Sequence, residues 1–259
     1  METKLGDKES IASELKLVLL PGMDGTGQLF SDFIEVLPKT LETVTVRYQT
    51  NRCLSYSELE NFVREACSIS GPFILLAESF STPLAIQYAA SNPVNLVGLV
   101  LCAGFATSPV IGWRQLLGRL LGPLLFRIPL PNLAAKFWLV GPDAPPSLLV
   151  KVRAVVSSVL PIVLASRLRA VLGCNVRAEL GQVAVPILYI QASQDRLVRA
   201  SCLEEIRQIK PQIAVTVLDG PHLLLQREPR KAAEIIANFA TSGVLRRVAR
   251  VPGGSKFSH

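Results

Sequence analysis

Hydrophobic residues along this chain form short runs of strand length, separated by stretches in which they recur at helical spacing. Four of the runs are nearly continuous, as in strands buried on both faces, and two alternate with β-branched residues. The runs lie at 15–22, 43–48, 72–78, 96–104, 185–193 and 213–219, and the helical patterns at 55–68 and at about 82–91, 199–210 and 227–241. Strands that alternate with helices predict an α/β fold, with a mostly parallel sheet flanked by helices.

The strand pattern stops after Gly104 and does not return until about residue 185. From about 107 to 177 the chain is rich in leucine, arginine and proline with helical periodicity, which predicts a helical insertion. We therefore predict an α/β core at 15–104 and 181–242, a helical cap at 105–180, and terminal tails at 1–14 and 243–259.

With 259 residues, of which 49% are hydrophobic and 18% charged, the chain can bury one sizeable core. Its charged N-terminus lacks the apolar segment of a secretory signal, and no run reaches the roughly 18 uninterrupted apolar residues of a membrane span. Five scattered cysteines without a CxxC or Cys/His cluster argue against a disulfide framework or a structural zinc site. We expect a cytoplasmic protein without a metal.

The formal charge of +7 is concentrated in the predicted cap, where nine Lys and Arg residues accompany two acids. A nucleic-acid-binding protein usually intersperses such residues with stacking aromatics or carries a recognisable motif, and the sequence has neither. A solvated face without a partner is the favoured interpretation of this charge. The alternative is that the cap steers anionic acyl carriers or rests on an anionic lipid surface.

The third predicted strand ends in a polar break, AESFS (77–81). Ser79 would stand on a sharp strand-to-helix turn, where a nucleophilic serine is presented if the residues two before and two after it are small. Ala77 and Ser81 are small, although the usual elbow has glycine at both positions. An elbow centred on Ser81 would put Pro83 at the second small position, which fits less well. A serine at a strand end can also cap the next helix.

A serine nucleophile needs a base, and the chain offers two histidines. His259 is the last residue, in a basic tail, which leaves His222, on the loop after the last predicted strand. A carboxylate must orient the imidazole, and Asp195, just past the fifth strand, is the candidate. Asp24 and Asp219 are weaker alternatives, because Asp24 lies in a different loop and Asp219 precedes a turn. Each of these residues also has an ordinary role open to it in a turn or cap.

The segment PGMDGTG (21–27) follows the first predicted strand. Acyl transfer generates an oxyanion that backbone N–H groups must stabilise. We predict that the N–H of Met23, just past the turn, and the N–H of Phe80, after the nucleophile, form this oxyanion hole. A phosphate-binding loop is less favoured, because the segment lacks the Lys-Ser/Thr pair of a P-loop and Asp24 would repel phosphate.

Serine, aspartate and histidine follow one another in the chain order of α/β-hydrolases. With the segments LLPGMDGTG, LLAESFS, SQDRLV and GPHLLLQREP, residues 15–241 resemble the α/β-hydrolase superfamily, in particular small bacterial esterase-like members with a PGxDGTG loop. The resemblance implies a carboxylic ester hydrolase. In it, Ser79, Asp195 and His222 would form the catalytic triad, and Met23 and Phe80 would supply the donors of the oxyanion hole.

Two departures from the family pattern concern the elbow. It lacks both glycines, and Thr82 stands where that subgroup often has glycine. Family members that open epoxides or remove halides use aspartate as the nucleophile, and serine at this position argues against them.

The apolar faces of the cap would roof the strand ends and line an acyl pocket, with Trp113, Phe137 and Trp138 as predicted substrate contacts. Ordinary helix packing is the alternative for each of them. The leading hypothesis is a serine carboxylesterase for short- to medium-chain esters, acting without metal or cofactor on a small-molecule ester. A thioesterase or acyltransferase with the same triad comes next. A non-enzymatic scaffold of the same fold is less favoured, because such scaffolds often lose triad members and this chain retains all three.

Overall fold

The computed structural model describes residues 15–110, 112, 124, 126–128 and 130–241. The strands are β1 Lys16–Leu20, β2 Glu42–Thr45, β3 Phe73–Glu78, β4 Leu96–Cys102, β5 Ile187–Ala192 and β6 Ala214–Leu218. The helices are α1 Ser31–Glu35, α2 Tyr56–Ala66, α3 Thr82–Ala90, α4 Asn132–Ala135, α5 Pro146–Ser157, α6 Pro161–Gly173, α7 Arg177–Gln182, α8 Ala200–Ile209, α9 Leu224–Arg227 and α10 Pro229–Phe239. Short 3-10 turns lie at Gln28–Phe30 and Ser79–Ser81, and a π-helical segment lies at Lys136–Val140.

The strands named above form one sheet in the order β2-β1-β3-β4-β5-β6, and every neighbouring pair is parallel. This confirms the predicted parallel sheet. Glu78 aligns with Cys102, so β3 and β4 end level with each other. Because parallel strands share the edge at which their carboxyl ends lie, the loops that follow β1, β3, β5 and β6 leave from one side of the sheet.

Helices cover both faces of the sheet, and β3 shows why its sequence is continuously apolar. Leu75 and Ala77 belong to a hydrophobic cluster that also includes side chains of α2, α3, α7 and α8. Ile74 and Leu76 point to the other face and belong to a cluster with α1 and α10. Strands buried on both faces need apolar residues at every position, in contrast to the alternation of a half-exposed strand.

The described helices of the segment predicted as a cap pack over loops at the carboxyl edge of the sheet. A cluster built on α5 includes Leu223, whose N–H also donates to the carbonyl of Leu139 at 2.9 Å. Met23 packs against a second cluster that contains Val163 of α6. Helix α7 spans the predicted cap boundary at residue 180, and its Leu180 is buried in the core.

The strand predicted at 43–48 is shorter in the structure, where β2 ends at Thr45. The alternation of apolar and polar residues continues beyond that point, but after Val46, whose N–H still donates to the Leu19 carbonyl of β1 at 2.9 Å, the backbone leaves the sheet. Tyr48 donates its N–H to the carbonyl of Gly25 at 2.7 Å, which ties the chain to the glycine-rich loop after β1. The end of β2 is therefore set by a loop contact rather than by the hydrophobic pattern.

In the described part of the chain, no single helix is long and apolar enough to cross a membrane. Helices α5 and α6 reach the length and composition of a span only when taken together, and they meet at an angle of 95°.

Candidate active site

The predicted nucleophile stands on a sharp turn at the end of β3. Ser79 opens the 3-10 turn Ser79–Ser81, which leads directly into α3. Its φ of 48° lies in the left-handed region, which is unfavourable for a residue with a Cβ. A strand-to-helix turn of this kind holds the serine oxygen away from the strand that precedes it.

Side-chain hydrogen bonds anchor this turn at the positions where glycine is usual. Ser81 is fully buried, and its hydroxyl donates to the carbonyl of Pro21 and accepts from the hydroxyl of Tyr48 at 2.8 Å. Thr82 Oγ1 donates to the carbonyl of Ser79 at 2.8 Å and accepts a backbone N–H from the loop after β4 at 3.1 Å. The replacements for glycine thus connect the turn to two neighbouring loops.

The structure brings together the three side chains that the sequence singles out. His222 Nε2 lies 2.9 Å from Ser79 Oγ, and His222 Nδ1 lies 2.8 Å from Asp195 Oδ2. The other carboxylate oxygen, Oδ1, accepts the N–H groups of Leu197 at 2.8 Å and Val198 at 2.9 Å, which holds Asp195 in place. With Nδ1–H donated to Asp195, Nε2 is an acceptor for the serine hydroxyl.

The electrostatic surroundings of His222 favour its protonated form. The imidazole is 4% exposed. Burial acts to lower the pKa of His222. Three effects raise it: the charge of Asp195, the hydrogen bond to that carboxylate and the charge of Glu78. The net result is a pKa above the ordinary value of histidine. An imidazole in this environment is a stronger base than one in water.

The glycine-rich loop after β1 lies against the elbow. Gly25 donates its N–H to the carbonyl of Gly22 at 3.0 Å, which closes a tight turn with Met23 near its centre. Among the residues that the structure describes, none accepts a hydrogen bond from the Met23 N–H. Phe80 N–H lies at the start of the 3-10 turn, where the first N–H groups have no partner within the helix. Both predicted donor amides can therefore donate a hydrogen bond to a ligand oxygen.

A second carboxyl is buried directly before the serine. Glu78 is 1% exposed, and one of its oxygens accepts the side-chain N–H of Gln226 at 3.3 Å, while the other has no hydrogen-bond partner within the described residues. Burial, supported by the charge of Asp24, raises the pKa of Glu78 to about 7 against the opposing effects of His222 and Gln226. The sequence pattern marks Glu78 as a polar break but indicates no role for it.

A buried arginine of the cap reaches the glycine-rich loop, and the sequence analysis does not predict it. Arg167 of α6 is 2% exposed and donates to the carbonyls of Met23 and Asp24. A signal was present in the sequence, because Arg167 lies four residues after Val163 and four before Val171, on the apolar face of the helix. A lone charge on such a face indicates a buried polar partner.

The predicted substrate contacts lie on the cap or outside the described residues. Phe137 and Trp138 pack edge to face with ring centroids 4.9 Å apart, and they are 49% and 43% exposed. The guanidinium of Arg196, the residue after Asp195, lies 4.0 Å from the centre of the Phe137 ring. Trp113 lies outside the described residues, as does the alternative base at position 259.

The two alternative acids have partners other than the histidine. Asp24 accepts the N–H of Thr26 at 2.8 Å and also its hydroxyl. Asp219 accepts from the Ser193 hydroxyl at 2.6 Å and from the Gln194 side-chain amide at 3.0 Å. Within the described ranges, no group of three or more His, Cys, Asp or Glu side chains is arranged to hold a metal ion.

Comparison with known proteins gives a family match. A model of the alpha/beta hydrolase family matches residues 17–235, which is most of the chain. The comparison with curated proteins gives no match.

Solved structures share the fold at low sequence identity. A bromoperoxidase from Bacillus anthracis has a TM-score of 0.77 at 14% identity, covering 88% of this chain and 92% of that one. A carboxylesterase structure from the ammonia-oxidizing thaumarchaeon Nitrososphaera gargenis has a TM-score of 0.75 at 16% identity, covering 92% and 93%. A thermophilic esterase from Thermogutta terrifontis has a TM-score of 0.74 at 18% identity, covering 91% and 90%. Together with the family match, these structures confirm the predicted α/β-hydrolase fold.

Proposed function

Because the chain belongs to the alpha/beta hydrolase family, we propose that it is a serine hydrolase that cleaves carboxylic esters through an acyl-enzyme intermediate. The observation that carries the proposal is the continuous line of hydrogen bonds from Ser79 through His222 to Asp195, with separations of 2.9 and 2.8 Å. These separations allow direct proton transfer between nucleophile and base. The esterases among the structures of the same fold support an ester as the substrate.

The first half of the proposed reaction acylates the serine. Ser79 Oγ attacks the ester carbonyl carbon while His222 Nε2 takes the hydroxyl proton, and Asp195 stabilises the imidazolium through Nδ1–H. The tetrahedral intermediate then expels the alcohol, which receives its proton from His222. In the second half, His222 takes a proton from water as the water attacks the acyl-enzyme. The second tetrahedral intermediate then breaks its bond to Ser79 Oγ, which receives the proton from His222, and the carboxylic acid leaves.

The negative oxygen of each tetrahedral intermediate needs hydrogen-bond donors. We assign this role to the backbone N–H groups of Met23 and Phe80, which flank the serine from the glycine-rich loop and from the elbow. Loss of one such donor typically costs about 3 kcal/mol of transition-state stabilisation. The hydrogen bond from the Ser81 hydroxyl to the Pro21 carbonyl supports the assignment, because it keeps the two donor segments together.

We further propose a short- to medium-chain acyl group bound under the cap, with the cap aromatics Phe137 and Trp138 among its contacts and Trp113 retained as a prediction. The cap segment that carries Phe137 and Trp138 also supplies the Leu139 carbonyl, which accepts the N–H of Leu223, the residue after His222. This chemistry uses no cofactor, and we keep a cytoplasmic setting as part of the proposal.

The proposal is tested by stopped-flow hydrolysis of p-nitrophenyl esters from acetate to decanoate. We expect a burst of p-nitrophenolate equal to the enzyme concentration, and we expect Ser79→Ala to remove the burst and lower kcat by at least ~10⁴-fold. Ser70→Ala, at an exposed serine, is the matched control and should behave as the wild type. A burst that survives in Ser79→Ala but not in Ser81→Ala would move the nucleophile to Ser81.

The same stopped-flow assay distinguishes ester hydrolysis from thioesterase and acyltransferase activity. Faster turnover of an acyl thioester than of the matched oxygen ester would assign a thioesterase, and transfer to an added alcohol would assign an acyltransferase. Absence of both burst and turnover with every ester and thioester would contradict the proposed hydrolase and favour the ligand-binding scaffold.

A further inference from the structure

Arg167 is a buried cation that is held by backbone carbonyls. It comes from the middle of α6 in the cap, and its Nη1 donates to the carbonyl of Met23 at 2.8 Å and to that of Asp24 at 2.6 Å. Its Nη2 donates to the carbonyl of Gln49 at 2.9 Å. Burying a guanidinium is costly unless its N–H groups find acceptors, so its orientation is closely constrained by these three bonds.

The same guanidinium also lies over two aromatic rings. Its central carbon is 5.8 Å from the centre of the Tyr48 ring and 5.9 Å from the centre of the Phe80 ring. The tyrosine in turn donates to Ser81 in the elbow. Arg167 thus contacts the two residues whose amides are assigned to the oxyanion hole, Met23 through its carbonyl and Phe80 through its ring.

The loop is shaped around this side chain. A Cβ at Gly25 would lie 2.5 Å from Arg167 Nη1, and Gly25 has a φ of +71°, so both space and conformation favour glycine there. The hydrogen bond from Gly25 to the Gly22 carbonyl fixes the peptide plane between Gly22 and Met23, which contains the Met23 N–H. The hydrogen bond from Arg167 to the Met23 carbonyl fixes the next plane, between Met23 and Asp24. The direction of the Met23 N–H is consequently determined from both sides.

From these contacts we propose that Arg167 is a positioning residue for the oxyanion hole, through which the cap orients the Met23 N–H. The inference rests on the proposed function. It assigns to the cap a part in transition-state stabilisation, in addition to covering the site. It also predicts that removal of the guanidinium lowers kcat more than it changes KM, because the loosened donor acts on the oxyanion and not on the bound ester.

The test compares Arg167→Met and Arg167→Lys with Arg169→Met, which removes an exposed arginine two residues further along the same helix. Each variant is assayed for kcat and KM with a neutral p-nitrophenyl ester and for the rate of phosphonylation by a neutral fluorophosphonate, at a temperature well below its thermal midpoint. We expect Arg167→Met to lower kcat and the phosphonylation rate by about 10- to 100-fold with KM within ~3-fold. Arg167→Lys should lie between Arg167→Met and the wild type, and Arg169→Met should match the wild type.

A folded Arg167→Met with wild-type kcat and phosphonylation rate would overturn the inference while leaving the proposed function intact. So would a change in KM alone. If Arg167→Met does not fold, Arg167→Lys decides, because an ammonium cannot serve all three carbonyls, and wild-type rates in that variant would overturn the inference. If the wild type itself is not phosphonylated, the proposed function fails and the inference fails with it.

Discussion

Glu78 stands immediately before Ser79, with its carboxyl buried and its pKa raised to about 7. In the unfolded chain this carboxyl has its ordinary pKa of 4.5 and releases its proton at lower pH than in the folded protein. Between these two values the unfolded state binds fewer protons than the folded state, so the free energy of unfolding falls as pH rises. Above pH 7 both states are ionised and this contribution levels off.

We therefore expect Glu78→Gln to remove a pH dependence of about 3 kcal/mol from the free energy of unfolding. Relative to the wild type, the variant should gain stability on going from pH 5 to pH 8, as measured by urea denaturation at both pH values. Glu65→Gln, at an exposed glutamate of α2, is the control and should shift the curves equally at both pH values. A stability difference between Glu78→Gln and wild type that does not change with pH would contradict a buried carboxyl of raised pKa.

At the scale of elements, buried side chains join the elbow to the glycine-rich loop beyond the point where the pairing of β1 and β3 ends, at Leu20 and Ala77. The Ser81 hydroxyl donates to the Pro21 carbonyl in the loop and accepts from Tyr48, which follows β2. Removing this hydroxyl leaves a buried carbonyl and a buried phenol without their partner, and each loss costs about 1–3 kcal/mol.

Ser81→Ala should accordingly lower the free energy of unfolding by about 2–4 kcal/mol without displacing Ser79. Chemical denaturation measures the loss, and the esterase burst shows whether the nucleophile still reacts. Ser70→Ala is the exposed control. A Ser81→Ala variant as stable as the wild type would show that the loop and the elbow are held together by other contacts.

The sequence predicts elements well where the hydrophobic pattern alone determines them. The apolar run of β3 and its polar break at Glu78 place Ser79 at a strand end, and the loops after β5 and β6 carry Asp195 and His222 to the same edge. Helix α2, predicted from the pattern at 55–68, likewise begins at a local signal, because the Ser55 side chain accepts the Glu58 N–H and the two residues form a capping box. In these cases the signal is local.

Contacts that depend on how the cap folds back onto the core are not visible in the pattern. Arg167 is 144 residues from Met23 in the chain, and its hydrogen bond to that residue follows from the placement of α6. The overlong prediction for β2 has a similar cause, because a loop contact of Tyr48 ends the strand before the alternation ends. Hydrophobic periodicity indicates which face of an element is buried, but not which other segment packs against that face.

On the scale of the whole molecule, part of the positive charge of the cap is directed at the core. Lys151 of α5 lies 2.6 Å from Asp32 of α1, and Arg177 of α7 pairs with Glu205 of α8. Arg167 is buried, while Arg169 remains exposed on α6. Part of the cap charge thus has a structural use, and among the described cap residues the exposed basic side chains without such a partner can attract an anionic substrate or surface.

We propose that this remainder steers anionic esters and expect kcat/KM for an anionic ester to fall about 3- to 10-fold as salt rises from ~0.05 to ~0.5 M. A neutral ester of the same acyl chain is the control and should show a flat response. If kcat/KM for the two esters depends on salt to the same extent, the steering proposal is contradicted, and the exposed charge of the cap is a solvated face without a partner. Salt-sensitive binding to vesicles of phosphatidylglycerol, without any effect on ester turnover, would indicate a lipid surface as the partner.

The most direct test of the central claim is to identify the residue that a fluorophosphonate modifies, by intact mass and peptide mapping. The account predicts one adduct per chain, located on Ser79, and a loss of labelling in His222→Ala because the hydroxyl then lacks its base. An adduct on any other residue, or undiminished labelling of Ser79 in His222→Ala, would contradict the claim that these two side chains act as nucleophile and base.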